Sequence, residues 1–210
     1  PTTAPQGAIV NLSQPDGAQA YRLAASNVSA TQTLDVYAIG DIDGDGAEDM
    51  IASTYNFYSQ SRLILGGRLG QLDAADESLD GMVLFDQANG VSSFSFMPLA
   101  YDGELTFSRA GAIDGDGFDD LLISESYYYY GGYVNSDAHV VFDNLANLTA
   151  ASDVFGTIDL FNLDGTTGFH VTGAFDPVAV FGVGDVNGDG IDDFVAREGN
   201  YRGDIDRPDT

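Results

Sequence analysis

Ile39-Gly-Asp-Ile-Asp-Gly-Asp-Gly-Ala-Glu-Asp-Met-Ile-Ala-Ser53 occurs three times in this chain in related form. Its counterparts, aligned without gaps, are Ala110-Gly-Ala-Ile-Asp-Gly-Asp-Gly-Phe-Asp-Asp-Leu-Leu-Ile-Ser124 and Val183-Gly-Asp-Val-Asn-Gly-Asp-Gly-Ile-Asp-Asp-Phe-Val-Ala-Arg197. Each is an Asp/Gly loop that runs directly into an apolar stretch. Equivalent positions 41, 112 and 185 lie 71 and 73 residues apart, so three such units span the 210 residues.

Between the loops, short apolar stretches separated by Gly, Asn or Asp read as strands. They include Leu34–Ile39, Met50–Phe57, Arg62–Leu65, Met82–Phe85, Phe94–Met97, Leu105–Arg109, Leu121–Ser124, His139–Phe142, Thr157–Phe161, Phe169–Thr172, Ala179–Val183 and Phe194–Arg197. Helical periodicity is weak, with one short turn expected at Leu72–Leu79. Each period thus carries about four strands: A before the loop, B after it, then C and D. This pattern predicts an all-β fold of propeller blades, each of four antiparallel strands, about three in this chain, with the acidic loops joining A to B. A β-solenoid is the alternative, although its repeats are usually shorter. The units of this single domain are expected at approximately 33–103, 104–176, and 177–210 completed by 7–32.

Charge narrows the function. Thirty-three acidic residues face seven basic ones, for a net charge of −26. The basic residues are all Arg, and of the acids only Glu48, Glu77, Glu104, Glu125 and Glu198 are Glu. Such an excess of Asp beside 26 Gly points to turns and hard-cation loops. Nucleic acid is not expected as a partner, because nothing basic is clustered to neutralise phosphates. The absence of Cys excludes disulfides, thiolate metal sites and cysteine catalysis. No apolar run approaches the length of a membrane-spanning helix, so membrane insertion is not expected.

The loops themselves read as cation sites. Counting from the first ligand, Asp41, Asp43, Asp45 and Asp49 stand at positions 1, 3, 5 and 9, and Ala47 at position 7 offers its carbonyl. Alternate residues of a tight loop point inward, and carboxylates gathered this closely repel unless a cation joins them. Ca²⁺ suits a flexible, all-oxygen loop better than Mg²⁺. Position 12 falls in an apolar strand (Ala52, Ile123, Ala196), which excludes an EF-hand. The third loop offers Asp185, Asn187, Asp189, the Ile191 carbonyl and Asp193. The second has Ala112 at position 1, followed by Asp114, Asp116, the Phe118 carbonyl and Asp120. Two strong Ca²⁺ sites and one weaker site are expected.

The Gly-Asp-(Ile/Val)-(Asp/Asn)-Gly-Asp-Gly-x-x-Asp pattern before an apolar strand resembles the FG-GAP repeat, the blade of the integrin α-subunit N-terminal propeller and of many bacterial secreted proteins. Phe181-Gly182 resembles its "FG" element, and Gly7–Gly17 and Ile158–Gly173 resemble its stretch between strands C and D. The family's "GAP" element is absent, and the chain holds about three blades where a family propeller normally has seven. The resemblance implies a calcium-binding, secreted or cell-surface module for cell adhesion or recognition, and not an enzyme. Closure of a ring then requires either a homodimer of six blades or further blades of a larger parent chain.

Antiparallel order puts the calcium loops at one end of the strands and the B–C connections at the other. That far end is rich in Tyr: Tyr55 and Tyr58, then Tyr127, Tyr128, Tyr129 and Tyr130, and Tyr201. Tyr combines flat apolar area with a hydroxyl, which suits a protein or carbohydrate ligand; packing between blades is the competing role. Two other functions stay open: a purely structural segment of a larger secreted protein, and a propeller-based hydrolase or lyase using a far-end carboxylate such as Glu125. His139 and His170, separated in sequence, read as packed or surface residues.

Overall fold

The computed structural model describes residues 21–24, 33–55, 60–75, 82–84, 90–97, 104–129, 133–142, 145–171 and 177–198. In chain order these form β1 (Arg22–Ala24), β2 (Thr33–Gly40), β3 (Asp49–Tyr55), β4 (Gln60–Ile64), α1 (Leu69–Ala75), β5 (Met82–Leu84), β6 (Ser93–Met97) and β7 (Glu104–Gly111). There follow β8 (Asp120–Tyr129), β9 (Tyr133–Val141), α2 (Leu145–Ala151), β10 (Thr157–Asp159), β11 (Gly168–Val171), β12 (Pro177–Gly184) and β13 (Asp193–Glu198). The protein is mostly β-sheet, as its alternating apolar stretches predict.

Three sheets follow the three repeats. The first runs β10-β6-β4-β3-β2, the second β11-β9-β8-β7, and the third pairs β12 with β13. Within the first two, successive strands A to D are antiparallel neighbours: β2, β3, β4, β6 and β7, β8, β9, β11. Among the described residues none of the sheets closes on itself. Each acidic loop joins A to B, and a bulge marks strand A at the loop in every unit, between Ala38 and Gly40, Arg109 and Gly111, and Gly182 and Gly184.

The units stack through their sheet faces. Strand β7 alternates Leu105 and Phe107 toward the first unit with Thr106 and Ser108 on the opposite face, the period of two that a pleated strand imposes. Leu105 and Phe107 meet Ile39, Ile51, Leu63 and Phe94 of the first unit in the largest apolar cluster. The opposite face of the second unit, with Ala110, Leu122, Ala138 and Val140, packs on Val180 of β12. Because it is sandwiched, β8 is buried on both faces from Leu121 to Glu125. A third cluster lies outside the first sheet, where β1, β5 and α1 cover Ala52 and Ile64.

Several elements differ from the sequence pattern. The stretch around Met82 is not a blade strand: β5 pairs in parallel with β1, away from the main sheets. Strand D of the first unit is β6 instead. Thr157–Phe161 is a strand only to Asp159; the Asp159 carboxylate then accepts the Phe161 N–H at 3.0 Å and turns the chain into a 3₁₀ turn. That short β10 joins the edge of the first unit's sheet, parallel to β6, so the second unit covers an edge of the first. The expected turn at Leu72–Leu79 is a helix that begins earlier, at Leu69, and α2 is an additional helix held by the buried Leu148.

Candidate metal centre

Strand β2 delivers the chain to the first loop and β3 carries it away, so positions 1 and 9 start side by side. One carboxylate oxygen from each of Asp41, Asp43 and Asp49 lies within 4.8 Å of the other two. Asp49 is buried, and its Oδ2 accepts the Ile42 N–H at 2.8 Å while its Oδ1 accepts the Gly66 N–H at 2.7 Å. Asp41 accepts from the N–H groups of Asp45 and Gly46 at 3.1 and 2.9 Å. The Asp43 side chain is fully buried, and its Oδ2 has no hydrogen-bond donor. Arg68 Nη2 stands 3.0 Å from that oxygen as an ion pair. Asp45 shares the loop but uses its Oδ1 to hold the Ala47 N–H at 2.9 Å.

The same scaffold recurs in all three loops. Position 9 accepts the N–H of position 2: Asp120 from Ile113 at 2.7 Å, Asp193 from Val186 at 3.0 Å. Position 5 accepts from position 7: Asp116 from Phe118 and Asp189 from Ile191, at 3.0 and 2.9 Å. The position-5 bonds are Asx turns, and with the position-9 bonds they hold each loop in shape. In the third loop Asp185 accepts from Gly188, Asp189 and Gly190, and Asn187 Oδ1 takes the Asp189 N–H as Asp43 takes that of Asp45. In the second loop Ala112 supplies no such acceptor. Among the described residues, only the first loop brings three acidic side chains together this closely.

Burial pushes the Asp49 carboxyl up to about 6, with the neighbouring Asp43 charge adding to the rise against the backbone N–H groups that oppose it. Burial and the Asp45 charge also raise Asp43. Asp185, by contrast, is held below its ordinary value, chiefly by the Gly190 N–H. A carboxyl raised in the folded state binds a proton there that the unfolded chain has already released. Asp49 therefore makes the metal-free protein less stable as pH rises from its ordinary value near 4 through about 6. The loss expected from this group is about 3 kcal/mol. The Asp185 effect has the opposite sign but falls below pH 4, outside that window. Urea unfolding in chelator at pH 4.5 and pH 7 checks this: the midpoint should be higher at pH 4.5, and Asp49→Asn should shrink the difference to the part that the raised Asp43 contributes. An unchanged slope in Asp49→Asn would refute the assignment.

The loops also touch one another. Asp119, at position 8 of the second loop, accepts the Asp41 N–H of the first at 3.2 Å and is held by Arg109 through bonds of 2.9 and 2.8 Å. Asp192, at position 8 of the third loop, accepts the Ala112 N–H of the second at 3.0 Å. Gly40 and Gly111 precede these N–H groups with φ of +94° and +75°, and a Cβ at either would overlap the incoming carboxylate. The three loops thus stand in line at one end of the strands.

At the other end, Tyr55 closes β3, and Tyr127, Tyr128 and Tyr129 close β8, with Tyr129 paired to Tyr133 of β9. The backbone therefore separates acidic loops from Tyr-rich ends. The side chains of these tyrosines, and Tyr58, Tyr130 and Tyr201 altogether, lie outside the described residues. Glu125 is not an exposed far-end carboxylate: it is fully buried, between units. It lies 3.9 Å from Nε2 of the equally buried His139, whose Nδ1 is 3.1 Å from Nδ1 of exposed His170. Register explains the pairing, because His139 and His170 are direct cross-strand partners on β9 and β11. Neither this trio nor Arg68 and the position-8 acids carries a motif of its own. The one visible signal is that position 8 is acidic in all three loops, as Glu48, Asp119 and Asp192.

Among the described residues no helix is long and apolar enough to cross a membrane. No family model, no curated protein and no solved structure matches the chain in comparisons with each.

Proposed function

We propose that this chain is a calcium-stabilised, propeller-type repeat module that acts outside the cell by binding a protein or carbohydrate, without catalysis. The observation that carries this reading is the convergence of Asp41, Asp43 and Asp49 in a Gly-rich loop whose hydrogen-bonded scaffold recurs in the next two units. An all-oxygen donor set with carboxylates and no nitrogen or sulfur favours a hard cation, and a loop rather than a rigid octahedral cage favours Ca²⁺ over Mg²⁺. Support for blades comes from the A-B-C-D strand order in two sheets and from the A strands β2, β7 and β12 lying against one another. Ligand recognition is assigned to the Tyr-rich strand ends, opposite the loops.

Isothermal titration is the direct test. Two strong calcium sites and one weaker site are expected, with Mg²⁺ binding far more weakly. Ala112→Asp, which restores the first ligand of the second loop, is expected to convert the weak site into a third strong one. No calcium uptake at millimolar concentration would sink the reading. Calcium-loaded protein should then be screened on glycan and peptide arrays, with Tyr128→Ala and Tyr130→Ala as probes. Lower stability with unchanged binding in those variants would reassign the tyrosines to packing.

A further inference from the structure

The repeat exposes at its two ends the same faces that it buries in the middle. The face of one unit that receives the next contains three equivalent positions: Tyr37, Ile39 and Ile51 in the first unit, Ser108, Ala110 and Leu122 in the second, and Phe181, Val183 and Val195 in the third. Ile39 and Ile51 are buried beneath the second unit, and Ala110 and Leu122 beneath the third. Phe181, Val183 and Val195 are 52%, 43% and 52% exposed. The opposite face, which packs on the preceding unit, carries Leu105 and Phe107 in the second unit and Val180 in the third, all buried. Their equivalents in the first unit, Leu34 and Val36, are 38% and 54% exposed. The β1–β5 pair and α1 cover the neighbouring Ala52 and Ile64 of that face but leave strand β2 open.

The polar stitch between loops is open at the same ends. Asp119 and Asp192 each cap the first N–H of the loop before them, but among the described residues no position-8 acid reaches the N–H of Asp185. Phe118 and Ile191, at position 7, cover Gly44 and Gly115 of the preceding loop, while nothing lies within 4 Å of the site of a Cβ on Gly188. At the other end Glu48, the position-8 acid of the first loop, is exposed.

We propose that the Phe181 face of one copy docks head-to-tail on the Val36 face of a second copy, continuing the packing seen inside the chain. Repeat equivalence fixes the contact. Tyr37 meets Phe107 with ring centroids 5.5 Å apart, and these positions correspond to Phe181 and Val36. The Glu48 carboxylate of the second copy then takes the Asp185 N–H of the first, as Asp119 takes that of Asp41. Both surfaces belong to one chain and differ from each other, so the contact is heterologous: it closes into a ring if the rotation between copies allows and otherwise adds further copies. The inference uses only contacts between units, and it stands or falls separately from calcium binding.

The test is solution mass by light scattering on the full chain, in calcium and at physiological salt, which screens the like charges. At least a doubling of mass is expected, and Phe181→Asp and Val36→Asp should each return it to a monomer with unchanged circular dichroism. Since the chain has no Cys, Val36→Cys and Phe181→Cys also serve as clean probes. Mixed in equal parts, they should give a covalent dimer with a short bis-maleimide that either alone gives at least tenfold less. A monomer that still binds calcium, a dimer that survives both Asp variants, or a double-Cys chain that cross-links only within itself would each overturn the contact.

Discussion

Calcium at about 10 mM is expected to stabilise the chain by about 5 kcal/mol and to raise its melting temperature by about 10–20 °C. Extracellular calcium modules bind with dissociation constants near 0.1–1 mM. At the tight end of that range about 10 mM is one hundred times the dissociation constant, where each site that exists only in the folded state contributes about 2.7 kcal/mol, and the two complete loops act together. For a domain of this size 1 kcal/mol moves the midpoint by about 2–4 °C. The physical source is local: Asp43 and Asp49 are buried anions that the cation would relieve. Asp41→Ala copies what the second loop already has in Ala112, and it should remove about half of the gain. Thermal melts with calcium and with chelator check both points, and a midpoint that moves by less than a degree would rule out a stabilising cation.

Phe94→Ala is expected to cost about 3–5 kcal/mol, the range for truncating a buried aromatic without repacking. Phe94 is fully buried on β6, paired in register with the equally buried Leu63 of β4, and sits in the cluster that joins the first two units. Its loss leaves a cavity between two sheets that cannot both move in. Denaturant unfolding measures the cost directly. A change below about 1 kcal/mol would mean that the two units do not share one core.

The acidic loops, the repeat and strands A and B of each unit are legible from residues alone. Gly44 and Gly46 beside alternating Asp, followed by Met50-Ile-Ala, mark a tight loop that runs into a strand. What escapes is long-range and weakly marked. Strands β1, β5 and β10 have three residues each, and no local pattern reveals that β1 seeks β5 or that β10 leaves its own unit for β6. Helix α2 docks through the buried Leu148 and the partly buried Ala151, two apolar residues in a stretch too short to show a helical period. At the candidate site, Asp41, Asp43 and Asp49 follow from spacing. Arg68 does not, because its approach to Asp43 depends on a 3₁₀ turn 25 residues further along the chain. Glu125 reads as a strand-end acid and is buried, because a sheet with neighbours on both faces has no solvent side.

The carboxylate that crosses from the second and third loops to the first N–H of the loop before gives the repeat a direction. It also sets where such a chain can be cut and rejoined. A cassette bounded at residues 103 and 104 takes the first loop away from Asp119, which is its lock, and leaves that lock facing a stranger. Grafting a unit into another array of this kind therefore requires matching a pair rather than a segment. The host must present Gly before its first ligand, as at Gly40 and Gly111, and the graft must bring an acid at position 8 with a side chain at position 7 that fits the host's turn. Shuffling of whole units is thus constrained at three residues of the loop as well as at the strand faces that share a core.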